Sequence, residues 1–211
     1  VEPFRRITCG SGLMLHGPAA LRLDAVALQA QFAALDAVLP PDGRTCFGAA
    51  PGTGWTAIPL WTGQRQPALD HLPLVQALLD RPDLEVRRAF ILRQPPRGML
   101  AWHFDPCALY LEETRLLIAI HAPPEAVTLI GDESAAYPEG QAWTGDFTFP
   151  HQVENPSDRD RIVVAVDVTC TPAVRALFAP ELSAEPERRH ALAVRAQALW
   201  LESRNRVPVP A

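Results

Sequence analysis

At 211 residues and 23.1 kDa, with 48% apolar and 20% charged residues, the chain has the composition of one soluble globular domain with a sizeable core. Its net charge is −5 and its 19 basic residues are all arginine, which gives no broad basic surface, so nucleic acid is not an expected partner. No apolar run approaches the ~18 residues of a membrane span and no secretory leader opens the chain, so no membrane is expected and the cytoplasm is the expected location.

Gly10-Ser11-Gly12 lacks the spacing and the Lys-Ser/Thr of a phosphate loop and reads as a turn. From Asp24, which can cap it, a helix is predicted with Leu28, Phe32, Leu35 and Leu39 on one face and Pro40-Pro41 as its stop. Pro40 to Asp70 is rich in Gly, Pro and Thr and places Trp55 and Trp61 around a short alternating strand, Thr56 to Leu60. Long loops with aromatics often line ligand sites, yet simple packing explains each tryptophan equally well. A second helix is predicted over Leu72–Leu79. The four cysteines, Cys9, Cys46, Cys107 and Cys170, lack C-x-x-C spacing and read as packed thiols, with no zinc knuckle or disulfide framework.

From residue 85 the period becomes strand-like. Candidate strands are Glu85–Arg93, Met99–Asp105, Arg115–His121, Ala126–Ile130, Gln141–Phe147, Gln152–Glu154 and Arg161–Thr169, parted by Pro-Pro, Gly-Asp and Asn-Pro-Ser-Asp turns. Many short strands at this spacing predict a mainly β fold of sandwich or jelly-roll type with flanking helices. The last of them is apolar on both alternating faces, so it should be covered on one side and line a cavity on the other. A closing helix is predicted from about Ser183 to Ser203, with Ala191, Val194, Ala198 and Leu201 as its packing stripe. The expected organisation is a single domain over 1–211 with its core at 85–170.

Chemistry concentrates in that core. On a strand, residues i and i+2 share a face, so His103 and Asp105 project together while Trp102 and Phe104 turn away. His151, behind Pro150 at the start of another strand, can bring a second imidazole to the same point. Two imidazoles and a carboxylate on one face of an octahedron leave three positions open, the arrangement of non-haem Fe(II) oxygenases, which need them for a chelating co-substrate and O2. Arg161, ten residues on, shares its inward face with Val163 and Ala165. A guanidinium in an apolar cavity requires an anion, and its fork fits the distal carboxylate of a co-substrate. Arg115, on the face of Leu117 and Ala119, is a second inward cation for a carboxylate of co-substrate or substrate. Each residue also has a plain structural reading: an isolated H-x-D is common, His151 can be a satisfied core histidine, and Arg161 can pair with Asp158 or Asp160. Their gathering in one strand-rich half, in this order, favours the site.

The runs His103-Phe104-Asp105, Thr114-Arg115-Leu116-Leu117-Ile118, Gly145 to Asn155 and Asp160-Arg161-Ile162-Val163-Val164-Ala165-Val166-Asp167 resemble the aspartyl/asparaginyl β-hydroxylase family, which is similar in turn to bacterial proline hydroxylases. The resemblance spans about residues 85 to 170. It implies a double-stranded β-helix (jelly-roll, cupin-like) core, Fe(II), and 2-oxoglutarate with O2 as co-substrates. It further implies His103, Asp105 and His151 as iron ligands and catalytic centre, Arg161 on the distal carboxylate and Arg115 in the carboxylate environment. Where the family often has His two residues after that Arg, this chain has Leu117; and Asp105, absent from some protein-directed members, points toward the small-molecule hydroxylases. The expected reaction is hydroxylation of a C–H bond in a small amino acid or amino-acid-derived metabolite. The rival readings are an Asp or Asn side chain in a peptide or protein as substrate, and a non-catalytic cupin-like binding protein.

Overall fold

The computed structural model describes residues 2–39, 45–46 and 55–205; Pro40-Pro41 and the stretch 47–54 lie outside the described residues. In chain order the strands are β1 (His16–Arg22), β2 (Thr45–Cys46), β3 (Thr56–Trp61), β4 (Val86–Gln94), β5 (Met99–His103), β6 (Glu113–His121), β7 (Val127–Ile130), β8 (Glu133–Ala135), β9 (Gln141–Gly145), β10 (His151–Glu154) and β11 (Arg161–Thr169). The helices are α1 (Ala25–Val38), α2 (Pro73–Leu79), α3 (Pro172–Arg175) and α4 (Pro186–Asn205). No described helix is long and apolar enough to cross a membrane.

Two antiparallel sheets face each other: one ordered β1-β9-β6-β11-β4-β3-β2, the other β5-β10-β7-β8. From β4 onward the chain passes from sheet to sheet, placing β4, β6, β9 and β11 in the larger and β5, β7, β8 and β10 in the smaller. That is the double-stranded β-helix expected from the sequence, a jelly roll with flanking helices.

Strand β11 explains why the larger sheet has two cores. Ile162, Val164, Val166 and Val168 face α1 and α2 and join Leu28, Phe32, Leu72 and Val75 in the outer core. Val163 and Ala165 face the smaller sheet and pack with Leu117, Trp143, Phe147 and Phe149. The double-sided apolar pattern therefore reports one covered face and one face toward the barrel interior. Asp24 caps α1 as predicted, its Oδ1 accepting from Ala27 N at 2.9 Å, and Leu28, Phe32 and Leu35 are buried.

The closing helix corrects one expectation. Val194 and Leu201, placed on the packing stripe by the sequence, are 50% and 49% exposed, while Arg189, Ala193, Ala196 and Trp200 face inward. Two contacts override the apolar count. Fully buried Arg189 pairs with Asp146 at 3.2 Å and donates to the carbonyls of Met14, Ala184 and Glu181. Trp200 meets Phe104 edge to face at 5.7 Å, and Ala193 and Ala196 let the backbones approach. A buried cation must satisfy its donors, and that requirement fixes which face docks. Among the cysteines, Cys107 and Cys170 are packed thiols, whereas Cys9 is exposed.

Candidate active site

Strands β5 and β10 are antiparallel neighbours, and their register sets His103 directly opposite His151. The two rings lie 4.1 Å apart between centroids. Beyond the end of β5 the chain is held in line by Asp105 N–H, which donates to the Phe147 carbonyl at 2.9 Å. Asp105 Oδ2 comes to 3.9 Å from His151 Nε2, and one ligand atom of each of His103, Asp105 and His151 falls within 4.8 Å of the others. Trp102 and Phe104 turn the other way, into the contacts with Phe4 and Trp200.

The tautomers follow from the backbone. His103 Nδ1 lies 2.8 Å from the Ala101 carbonyl and His151 Nδ1 lies 3.1 Å from the Phe149 carbonyl. A carbonyl only accepts, so each Nδ1 carries a proton and Nε2 is the nitrogen turned to a ligand. Burial, reinforced by the neighbouring His103 and only partly offset by Asp105, pushes the His151 imidazole well below its ordinary value. It is therefore neutral near pH 7, the form that binds metal. Two oriented imidazoles and one carboxylate fit a divalent iron-type ion, with the histidine orientation supplied by backbone carbonyls.

The cavity beside these three residues is lined by Trp55, Leu92, Leu100, Leu117, Thr128, Phe147, Val153, Val163 and Arg161. Gly145 matters here, because a Cβ would strike Ile130 and crowd the Phe147 ring, which lies 5.0 Å from His151. Arg161 starts β11 and has one side-chain hydrogen bond, from Nη2 to Thr128 Oγ1 at 3.3 Å. No described carboxylate pairs with it, and burial lowers its guanidinium to about 10. Arg115 is placed differently. Its Nε and Nη2 grip Asp167 at 2.7 and 3.2 Å, and its Nη1 donates to Asp105 Oδ2 at 3.0 Å. Burial opposes its charge, but the hydrogen bond and charge of Asp167 outweigh that and raise its pKa.

The structure thus gathers His103, Asp105, His151, Arg161 and Arg115 around one cavity. Sequence reasoning did not single out Thr128 or Asp167, and left Trp55 open between lining a ligand site and simple packing. Thr128 meets Arg161 from β7, where one hydroxyl in an apolar strand carried no signal. Asp167 read as one more position of an apolar strand, although a lone carboxylate in Ile-Val-Val-Ala-Val-Asp-Val was the available clue. Trp55 lines the cavity, 4% exposed, with an indole N–H that has no hydrogen-bond partner among the described residues, whereas Trp61 packs on the outer core. Larger concavities lie nearby: one of about 550 Å³ beside α1, and one of about 410 Å³ that shares Thr128 and Arg161 with the site. Among the described residues, neither gathers a set of metal-ligating side chains.

Similarity to solved structures supports the fold. A non-heme alpha-ketoglutarate-dependent carbocyclase from nogalamycin biosynthesis matches with a TM-score of 0.53 at 16% identity over 80% of this chain and 83% of that one. A 2OG-Fe(II) oxygenase family oxidoreductase from Burkholderia pseudomallei matches with a TM-score of 0.50 at 17% identity, covering 80% and 89%. A non-heme alpha-ketoglutarate-dependent epimerase from nogalamycin biosynthesis gives 0.50 at 15% identity, covering 73% and 77%. The search of curated proteins finds no match. The protein-family model described as aspartyl/asparaginyl beta-hydroxylase matches residues 21–170, most of the jelly roll and α1 included, and the chain belongs to that family of enzymes.

Proposed function

We propose that this chain is an Fe(II)- and 2-oxoglutarate-dependent oxygenase that hydroxylates a C–H bond of a small amino acid or amino-acid-derived metabolite. The observation that carries the reading is the pairing of two unlike ends of one cavity. At one end, His103, Asp105 and His151 present two imidazole lone pairs and a carboxylate within 4.8 Å. Beside them, Arg161 is a half-buried cation with no described anion.

In this reading His103, Asp105 and His151 hold the iron, and the proton on each Nδ1 keeps each Nε2 turned to it. Arg161 and Thr128 hold the distal carboxylate of 2-oxoglutarate, the guanidinium by charge and the hydroxyl by donating a hydrogen bond. Leu92, Leu117, Val153 and Val163 keep water from the chain between. Bound iron, with 2-oxoglutarate and O2, supplies the oxidising power, and 2-oxoglutarate leaves as succinate and CO2. Leu117 has no donor for the inner carboxylate. Arg115, already committed to two protein carboxylates, keeps spare N–H groups on Nη1 and Nη2 for it. The indole N–H of Trp55 is a further donor for an oxygen of bound ligand.

A small substrate is favoured because the carboxylate ligand Asp105 is present. The rival reading, an aspartyl or asparaginyl side chain of a peptide or protein, is favoured by the family's description. A cytoplasmic location completes the proposal: Cys9 is an exposed free thiol, and reduced iron and free thiols belong to a reducing compartment.

The test is anaerobic addition of Fe(II) and 2-oxoglutarate, read as the metal-to-ligand charge-transfer band in the visible. Succinate release is then measured under O2 with candidate amino acids and with Asp- or Asn-containing peptides. A band in the native chain that disappears in His151→Ala is expected. No band, or the same band in the variant, overturns the metal assignment.

A further inference from the structure

Asp167 has no part in the chemistry proposed above, yet it is buried beside it. Its side chain is 3% exposed on β11, directly opposite Arg115 on β6 and Arg88 on β4. Cation, anion and cation therefore stand in one row across three adjacent strands. Arg88 reaches Asp167 at 3.0 Å from the more exposed side, and Arg115 grips it with two prongs from the other. Nη1 of the same guanidinium donates to Asp105 Oδ2 at 3.0 Å. The row ends on a candidate metal ligand.

A guanidinium resting on a ligand carboxylate competes with a metal ion for the same charge and lone pairs. Left alone with Asp105, the planar fork of Arg115 would favour closing on both carboxylate oxygens, because two parallel bonds are its preferred geometry. Asp167 opposes this by taking Nε and one N–H of Nη2, which fixes the plane and direction of the fork, and its charge balances that of Arg115. Stability alone does not require a buried pair here, since apolar residues of similar volume commonly serve as well. What the pair adds is direction. The fork so held meets Asp105 through Nη1 alone, on the same Oδ2 that faces His151.

We propose that Asp167 is a positioning residue of the metal site: acting through Arg115, it turns Asp105 toward His151 and leaves that carboxylate a lone pair and its charge for a divalent cation. The inference rests on His103, Asp105 and His151 being metal ligands.

The test is a Co(II) titration of the full chain, following the visible d–d absorption, which reports both occupancy and ligand geometry. Asp167→Asn should weaken Co(II) binding ten- to a hundredfold, the range typical of residues that orient ligands, and shift the band, while the metal-free protein keeps its circular dichroism. In an Arg115→Gln background, where no fork remains to be restrained, adding Asp167→Asn should change Co(II) affinity less than about twofold. Wild-type affinity and an unshifted band in Asp167→Asn, or an equal loss in both backgrounds, overturns the proposal while leaving the ligand assignment standing. No Co(II) uptake by the native chain overturns the ligand assignment itself. If Asp167→Asn does not fold, Arg115→Lys, which keeps the charge and gives up the two-pronged grip, decides: the same loss and shift support the proposal, and wild-type behaviour refutes it.

Discussion

Arg161→Met should make the protein more stable when no co-substrate is bound and deaf to 2-oxoglutarate when it is offered. The native side chain is half-buried, holds one long hydrogen bond to Thr128 and has no described carboxylate partner. Desolvation lowers its pKa from the usual arginine value to about 10, which corresponds to about 3 kcal/mol against the charged form in the folded state. The side chain borders a cavity, and solvent there screens the charge, so about 1–3 kcal/mol is the expected size. The sign holds across the neutral range: the folded value is the lower one, so below pH 10 both states carry the proton and only the folded state bears the cost. Methionine fills much of the same volume without the charge. For a chain of this length 1 kcal/mol corresponds to roughly 2–4 °C, so metal-loaded Arg161→Met should melt about 2–12 °C above the native chain between pH 6 and 9. Adding 2-oxoglutarate at a hundred times its Kd should stabilise the native protein by about 2.7 kcal/mol and leave the variant unmoved. The assay is a thermal melt of the Mn(II)-loaded proteins with and without 2-oxoglutarate. A variant that melts lower without ligand, or an equal ligand shift in both, refutes the picture of an uncompensated cation awaiting a carboxylate.

Trp55→Phe removes one buried donor and little volume, so it should weaken binding of 2-oxoglutarate or of the primary substrate about five- to tenfold, read by isothermal titration, without changing Co(II) affinity. Arg189→Met leaves Asp146 buried and unpaired and strips three carbonyls of their donor, which should cost about 3–5 kcal/mol in urea unfolding. Burial and the neighbouring His103 hold the His151 imidazole well below its ordinary value near 6.5, so below pH 6.5 the unfolded chain takes the proton first. Metal-free protein should therefore lose stability as pH falls below 6.5, and His151→Gln should flatten that slope in denaturation curves taken across the range.

The core of the fold was legible because it rests on period. Strand β11 was read to the residue, and β4, β6, β7 and β10 within about two, since each alternates or is continuously apolar between clear turns. The pairs were not legible. Strand β1 begins His-Gly-Pro, which looks like a turn, and is a strand only because β9 lies beside it. Strand β8 is three residues long and too short for a period to show. The packing face of α4 was misjudged because apolar counting cannot see that Arg189 must reach Asp146. The same limit applies at the site. Residue type and order sufficed to assemble His103, Asp105 and His151. The partners of Arg115 depend on which strand lies next to β6, and that is a property of the pairing alone. Thr128 and Asp167 enter for the same reason.

Helix α4 contributes no group to the cavity, yet it grips the segment on which the cavity depends. Arg189 holds Asp146 and Gln197 donates to the Thr148 carbonyl at 2.7 Å, on either side of the Phe147 carbonyl that fixes Asp105. All three candidate ligands are synthesised before this clasp. On the proposed reading, a nascent chain that has already emerged through β11 carries every candidate ligand but lacks this restraint on Asp105 until α4 docks. Shortening the chain ahead of Arg189 would remove the clasp while leaving each of those side chains in the sequence.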